Sequence, residues 1–187
     1  MIKKIFAIVV LFASVCVATA KPDVTVIKGS LAALKKSNAK VFVRWDYSTS
    51  TIEGKAVKTY LKERGDDWVR DYDAEIARAE ENFRERLNDK SSDVSTVTSE
   101  QDADYIIVMK VSDFLYGSAA LSAAIGFGAG DAHLSGKMEI YKKGAKSPIA
   151  VLDVDGVPGA GYGNEIRRVN SYRELAENLA KLIKKAK

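Results

Sequence analysis

Apolar and polar positions recur with two different periods along the chain, and the switches between them mark the elements. Val24 to Lys28 and Lys40 to Asp46 read as short strands, the second with Val41, Val43 and Trp45 on one face and Phe42 on the other. Ser48-Thr49-Ser50-Thr51 is a polar break. Ile52 to Arg64 fits two readings: a helix through Val57, Tyr60 and Leu61, or a strand suggested by Gly54 and the Thr and Val content. From Asp66 or Asp67, either one a suitable N-cap, the period becomes helical. Val69, Tyr72, Ile76, Ala79, Phe83 and Leu87 recur at steps of three and four, which predicts a long helix to about Asn88. Its opposite face carries Arg70, Glu81, Arg84 and Glu85, a solvated surface of mixed charge.

Beyond Asp89 the strand period returns. Val94 to Thr98 is a candidate short strand and Ser99 to Ala103 a turn. Asp104 to Tyr116 is the strongest strand, and its almost continuous run of Ile106, Ile107, Val108, Met109 and Val111 predicts a central strand covered on both faces. Gly117 to Gly130 is small and glycine-rich. In Asp131 to Lys143, Ala132, Leu134, Gly136, Met138 and Ile140 alternate with His133, Ser135, Lys137, Glu139 and Tyr141. Lys143 to Lys146 reads as a hairpin turn, and Ser147 to Gly156 as the returning strand. A glycine-rich loop from Gly156 to Gly163 leads to a last helix from about Ser171, where Ser171-x-x-Glu174 has the form of a capping box. Tyr172, Leu175, Leu179 and Leu182 form its stripe. The expected fold is α+β: a mixed, mainly antiparallel sheet of about four to six strands, packed against a long central helix and a C-terminal helix. With no repeat or linker in 187 residues, residues 21–187 are expected to form one domain.

The first twenty residues do not fit this pattern. Met1 to Lys4 is a short basic start, Ile5 to Val17 an apolar run, and Ala18-Thr19-Ala20 a small-x-small cleavage site. The run is too short to span a bilayer comfortably, so the segment reads as a signal peptide removed after Ala20. Cys16 offers lipid anchoring as the competing fate, but Ala13-Ser14-Val15 before it lacks the expected leucine and small residue, so anchoring is not expected. The mature protein is therefore expected in the periplasm or outside the cell. Cleavage removes Lys3, Lys4 and the only cysteine, and the net charge falls from +4 to +2. That balance argues against nucleic acid as a partner.

The remaining motifs are weak. Gly126 to Gly130 and Gly159 to Gly163 look like phosphate loops, but the first leads into a strand and the second lacks an acidic partner. Asp153-Val154-Asp155-Gly156 starts like a calcium loop and lacks its later ligands; a strand ending in an Asp-Gly turn accounts for it. His133 is the only imidazole, and nothing near Ser135 resembles a nucleophile elbow, so an exposed strand histidine is expected. Glu80, Glu81 and Glu85 interleave with Arg84 and Arg86 as a solvated face. Lys181, Lys184, Lys185 and Lys187 have two readings, contact with anionic lipid or compensation of the helix dipole, and the second is preferred. No catalytic residue, cofactor or metal ligand is assigned, and no specific small molecule is expected.

The order from Ala103 to Gly156 resembles a family of small bacterial exported proteins and lipoproteins of unknown function. It runs from the strand Ala103 to Val111, through the small-residue run Gly117 to Gly130, to the strands Ala132 to Tyr141 and Pro148 to Val154. More distantly it is similar to the periplasmic domain of the curli-secretion channel lipoprotein. The resemblance implies helices on a mixed sheet and no catalytic residues. Together these readings predict an exported, non-catalytic envelope protein that binds or scaffolds a protein partner or itself. Membrane association is compatible with the sequence but not demanded by it. An enzyme with an unrecognised site and a membrane-associating oligomer are the alternatives. The candidate docking segment is the connector, through Gly117, Ala123, Gly126, Gly128 and Gly130.

Overall fold

Two amphipathic helical stripes and a set of alternating strands must bury their apolar sides against each other, and they do so in two layers. The structure is a computed structural model that describes residues 23–118 and 130–187. Its strands are β1 (Val24–Gly29), β2 (Ala39–Asp46), β3 (Thr51–Ile52), β4 (Lys55–Ala56), β5 (Val94–Val97), β6 (Tyr105–Leu115), β7 (Ala132–Lys142) and β8 (Ala150–Gly159). The helices are α1 (Val57–Arg64), α2 (Asp66–Lys90) and α3 (Asn164–Lys185). The sheet order is β1-β8-β7-β6-β2-β5, with β3 beside the far end of β6 and paired to β4. β2 runs parallel to both β5 and β6, while β6, β7, β8 and β1 form an antiparallel meander. This is an α+β fold with a mixed sheet. Six strands of ordinary length match the expected number, and β3 and β4 add a two-residue hairpin.

One face of the sheet carries both long helices. Arg78 meets Glu165, Asn82 meets Arg173, and Arg86 meets Glu177, so α2 and α3 lie side by side and run in the same direction. Beneath them Val41, Ile107, Met109, Met138, Ile140 and Leu152 are buried against Phe83, Leu87, Leu175 and Leu179. Burying each such side chain contributes about 1.5–3 kcal/mol, so this layer dominates stability. Trp45 joins it from β2, edge-on to Phe83 at 5.3 Å and stacked on Tyr172 at 4.8 Å.

Several expectations are corrected. Among the described residues β6 is covered on one face only, and Ile106 and Val108 stay half-buried on the other. The apolar run satisfies two different faces rather than two covered ones. Ile52 to Arg64 is both things in turn: a tiny hairpin through Glu53 and Gly54, then α1. The N-cap of α2 is Gly65, at φ +110°, with Asp66 and Asp67 already in the first turn. The stripe of α2 is buried only from Ala79 to Leu87, and Val69 is 53% exposed. The last helix begins at Asn164, seven residues before the supposed capping box. Ser171 lies inside it, buried, with its hydroxyl donating to Arg168 O. The glycine-rich loop also shrinks, because β8 continues through Gly156 to Gly159. Asp155-Gly156 is a β-bulge opposite Ser135, with Gly156 at φ +67°, and not a turn ending the strand.

Candidate functional site

The uncovered face of the sheet is built in rows, because residues directly opposite one another across a ladder point the same way. Val97, Phe42, Ile106 and Tyr141 are register partners across β5, β2, β6 and β7, and form a wholly apolar and aromatic row. The next row is Arg44, Val108, Glu139 and Val151. The third is charged: Asp46, Lys110, Lys137 and Asp153. Between these rows runs a shallow groove of about 450 Å³, with Ile106 and Val108 as its floor and Arg44, Glu100, Lys110 and Glu139 as its rim.

The rim charges hold one another. Lys110 Nζ donates to Glu139 Oε2 at 2.8 Å, and the Tyr141 hydroxyl donates to the same oxygen at 2.6 Å. Arg44 pairs with Glu100. The bond from Lys110, with that from Tyr141, holds the Glu139 carboxyl below its ordinary range, and Glu139 in turn raises the Lys110 ammonium. Both shifts move away from neutrality, the opposite of what a general acid or base needs. The arrangement suits contact with a surface rather than proton transfer.

On the covered side, two tyrosine–carboxylate networks are packed into the core. The Tyr47 hydroxyl donates to Glu80 at 2.9 Å and lies 3.0 Å from the Tyr172 hydroxyl. Burial raises Glu80 above the ordinary carboxylate range, and burial likewise raises both tyrosines. Arg168 is 1% exposed, with its guanidinium 4.7–4.9 Å from the rings of Tyr72, Phe114 and Tyr116. It donates to the Tyr116 hydroxyl and stands 3.9 Å from Glu75, whose carboxyl burial raises. Arg167, beside it, donates to the backbone carbonyls of Tyr116 and Gly161. These buried arginines fix the end of β6 to the first turns of α3. Two adjacent arginines carry no sequence signal of burial; only tertiary packing sets them there.

That fixed end is also the root of the connector. The Ser118 N–H donates to Gly130 O at 3.0 Å, which brings the two ends together. Gly117 has φ +71°, and a Cβ there would stand 2.3 Å from the carbonyl oxygens of both Gly130 and Asp131. The glycine is required at this position. Of the candidate docking residues, Gly117 and Gly130 are thus neighbours, while Ala123, Gly126 and Gly128 lie outside the described residues. His133 is half-buried rather than exposed, with Nδ1 2.9 Å from Gly156 O, and Ser135 Oγ accepts from the Gly156 N–H at 3.0 Å. Both side chains brace the β8 bulge. The open-face row itself was hidden in the sequence, because reading β6 as covered on both sides left Phe42, Ile106 and Tyr141 no surface to share.

No family model matches the chain, and no curated protein matches it. Among solved structures, the PelC dodecamer from Paraburkholderia phytofirmans is 12% identical, covers 83% of this chain and 96% of its own, and has a TM-score of 0.46. A single-substitution variant of that dodecamer is also 12% identical, covers 84% and 95%, and has a TM-score of 0.40. At these scores the likeness is too distant to carry an argument about this chain. The resemblance seen at Ala103 to Gly156, and the more distant one to the curli-secretion lipoprotein, gain no support from these matches.

Proposed function

We propose that the chain is an exported envelope protein that works by binding rather than catalysis, and that the open sheet face is its contact surface. The observation that carries this reading is the half-buried row Val97, Phe42, Ile106 and Tyr141, which no described element covers, beside a rim of paired charges. A surface with an apolar centre and a polar rim has the composition of a protein interface. The basic start, apolar run and Ala18-x-Ala20 order supports export. Intact mass of the natively expressed protein tests that part, with Lys21 as the expected N-terminus; an unprocessed chain or an acylated Cys16 overturns it.

The contact surface is tested by a photo-crosslinking residue placed at Val108 in intact cells, with a second placed at Asp73 on exposed α2. The expected result is a discrete protein adduct from Val108 only, whose mass distinguishes a second copy from another protein. Phe42→Glu should abolish it while the protein stays folded. Equal labelling from both positions, or none from Val108, overturns the assignment.

A further inference from the structure

The C-terminal lysines do not act as one group. Lys181 stands 3.9 Å from Glu174 and 3.8 Å from Glu177, and is compensated there. Lys185 instead lines an apolar groove of about 280 Å³ between the edge strand β1 and the last turn of α3, walled by Val26, Leu31, Leu182 and Ala186. Two further lysines arrive from elsewhere in the chain. Lys35 Nζ reaches across to donate to Ala186 O at 2.8 Å, and Lys28 follows the groove residue Val26 on β1, turned to the other side of the edge with its register partner Val151. Among the described residues, none of Lys28, Lys35, Lys184 and Lys185 is paired with a carboxylate, in contrast to Lys181. Beside them Val26 is 39% and Ile27 55% exposed. The helix dipole accounts for Lys184 and Lys185 in the last turn, but not for Lys28 and Lys35 on other elements.

We infer that this patch, the β1 edge with the C-terminal turn of α3, docks on the surface of an anionic phospholipid bilayer. Charge complementarity argues for the occupant. Every cation in the patch is a lysine, a point charge without the fork that orients a single carboxylate, which suits a diffuse negative surface. Val26, Ile27 and the groove supply shallow apolar contact next to those charges. A peptide adding a strand to β1 is disfavoured, because the ladder register jumps at Ile27 and Lys28 occupies the edge. Through Lys28 the patch adjoins the second row of the open sheet face at Val151, but the vesicle test needs no protein partner and reads the patch by itself.

The test uses the natively expressed protein, as the cell processes it, with two kinds of vesicle. One is pure phosphatidylcholine, and the other contains roughly one part in four phosphatidylglycerol. Partition onto the anionic vesicles should be at least about tenfold stronger at about 0.05 M salt and be lost by about 0.5 M, where charges are screened. Lys28→Glu with Lys185→Glu should lower it by about 25-fold or more, at about fivefold, or about 1 kcal/mol, per lysine. Ile27→Ser should lower it a few-fold, and Lys181→Glu by about twofold at most, because that charge is already compensated. If the charge-reversed pair fails to fold, Lys28→Gln with Lys185→Gln replaces it, and the salt titration needs no variant. Equal partition onto both vesicles, or anionic binding untouched by the Lys28 and Lys185 changes, overturns the proposal. So does retention on soluble polyglutamate without vesicle binding, which would assign the lysines to an acidic protein.

Discussion

The two faces of β6 carry similar side chains and meet different fates. Ile107, Met109 and Val111 point under α2 and α3 and are at most 3% exposed. Ile106 and Val108, which alternate with them in sequence, stand half-buried over a groove with Arg44, Lys110 and Glu139 around it. Side-chain type alone does not separate these residues. What separates them is that both long helices run in the same direction on one side, and nothing described lies on the other. A strand reports how apolar its faces are; the helices decide which one becomes core.

The widest gap between the faces should appear in stability. Phe83 is fully buried on the covered side, and Phe83→Ala should cost roughly 3–5 kcal/mol by chemical denaturation. Phe42→Ala on the open face should cost less, about 1–2 kcal/mol, because that ring is only half-buried. Equal costs would mean that the open face is sealed like the other.

A smaller contrast compares two glycines with similar backbone angles. Gly117 and Gly144 have φ +71° and +77°, but only Gly117 has backbone within reach of an added Cβ. Gly117→Ala should cost about 2–3 kcal/mol, through clash as well as strain, and Gly144→Ala about 1 kcal/mol, through strain alone. Matching losses in the two variants would show that the connector root yields freely.

The third test concerns pH on the covered side. Glu80 has its carboxyl raised by burial, so its folded value lies above its unfolded one. The proton then favours the native state, and stability contributed at low pH is lost as pH rises through the folded value. Glu80→Gln keeps an oxygen to accept from Tyr47 and removes that loss. The variant should be more stable than the parent at pH 7, by under about 1 kcal/mol, with the advantage gone below about pH 4. A variant less stable at pH 7 would show that the carboxylate is held by its partners rather than penalised by burial.

The smallest effect belongs to the open face. Tyr141→Phe removes one of two hydrogen bonds to Glu139, at a cost of about 0.5 kcal/mol or less. The Glu139 carboxyl should move up toward its ordinary value, since Tyr141 is one of the groups holding it down. An unchanged titration by NMR would place the whole shift on Lys110.

Much of the covered layer was legible in the sequence. The stripe through Ala79, Phe83 and Leu87, the strong strand at Tyr105–Leu115 and the alternation at Ala132–Lys142 each follow from local periodicity. Local pattern suffices there because helix and strand periods are intrinsic to the backbone and each apolar set has one place to go. The start of α3 was misread because Ser171 and Glu174 imitate a cap, while Arg167 and Arg168 imitate a surface. Their burial rests on Tyr72, Phe114 and Tyr116, drawn from a different helix and from the end of a strand.

The sequence by itself determined most of the elements, the α+β class and much of the covered core, since hydrophobic period and burial are coupled residue by residue. Only the tertiary structure decided which surfaces exist. The row Val97–Phe42–Ile106–Tyr141 draws on four strands, and the patch of Lys28, Lys35 and Lys185 on three separate parts of the chain. Register and topology place these groups side by side, and neither is written in the residues that meet there.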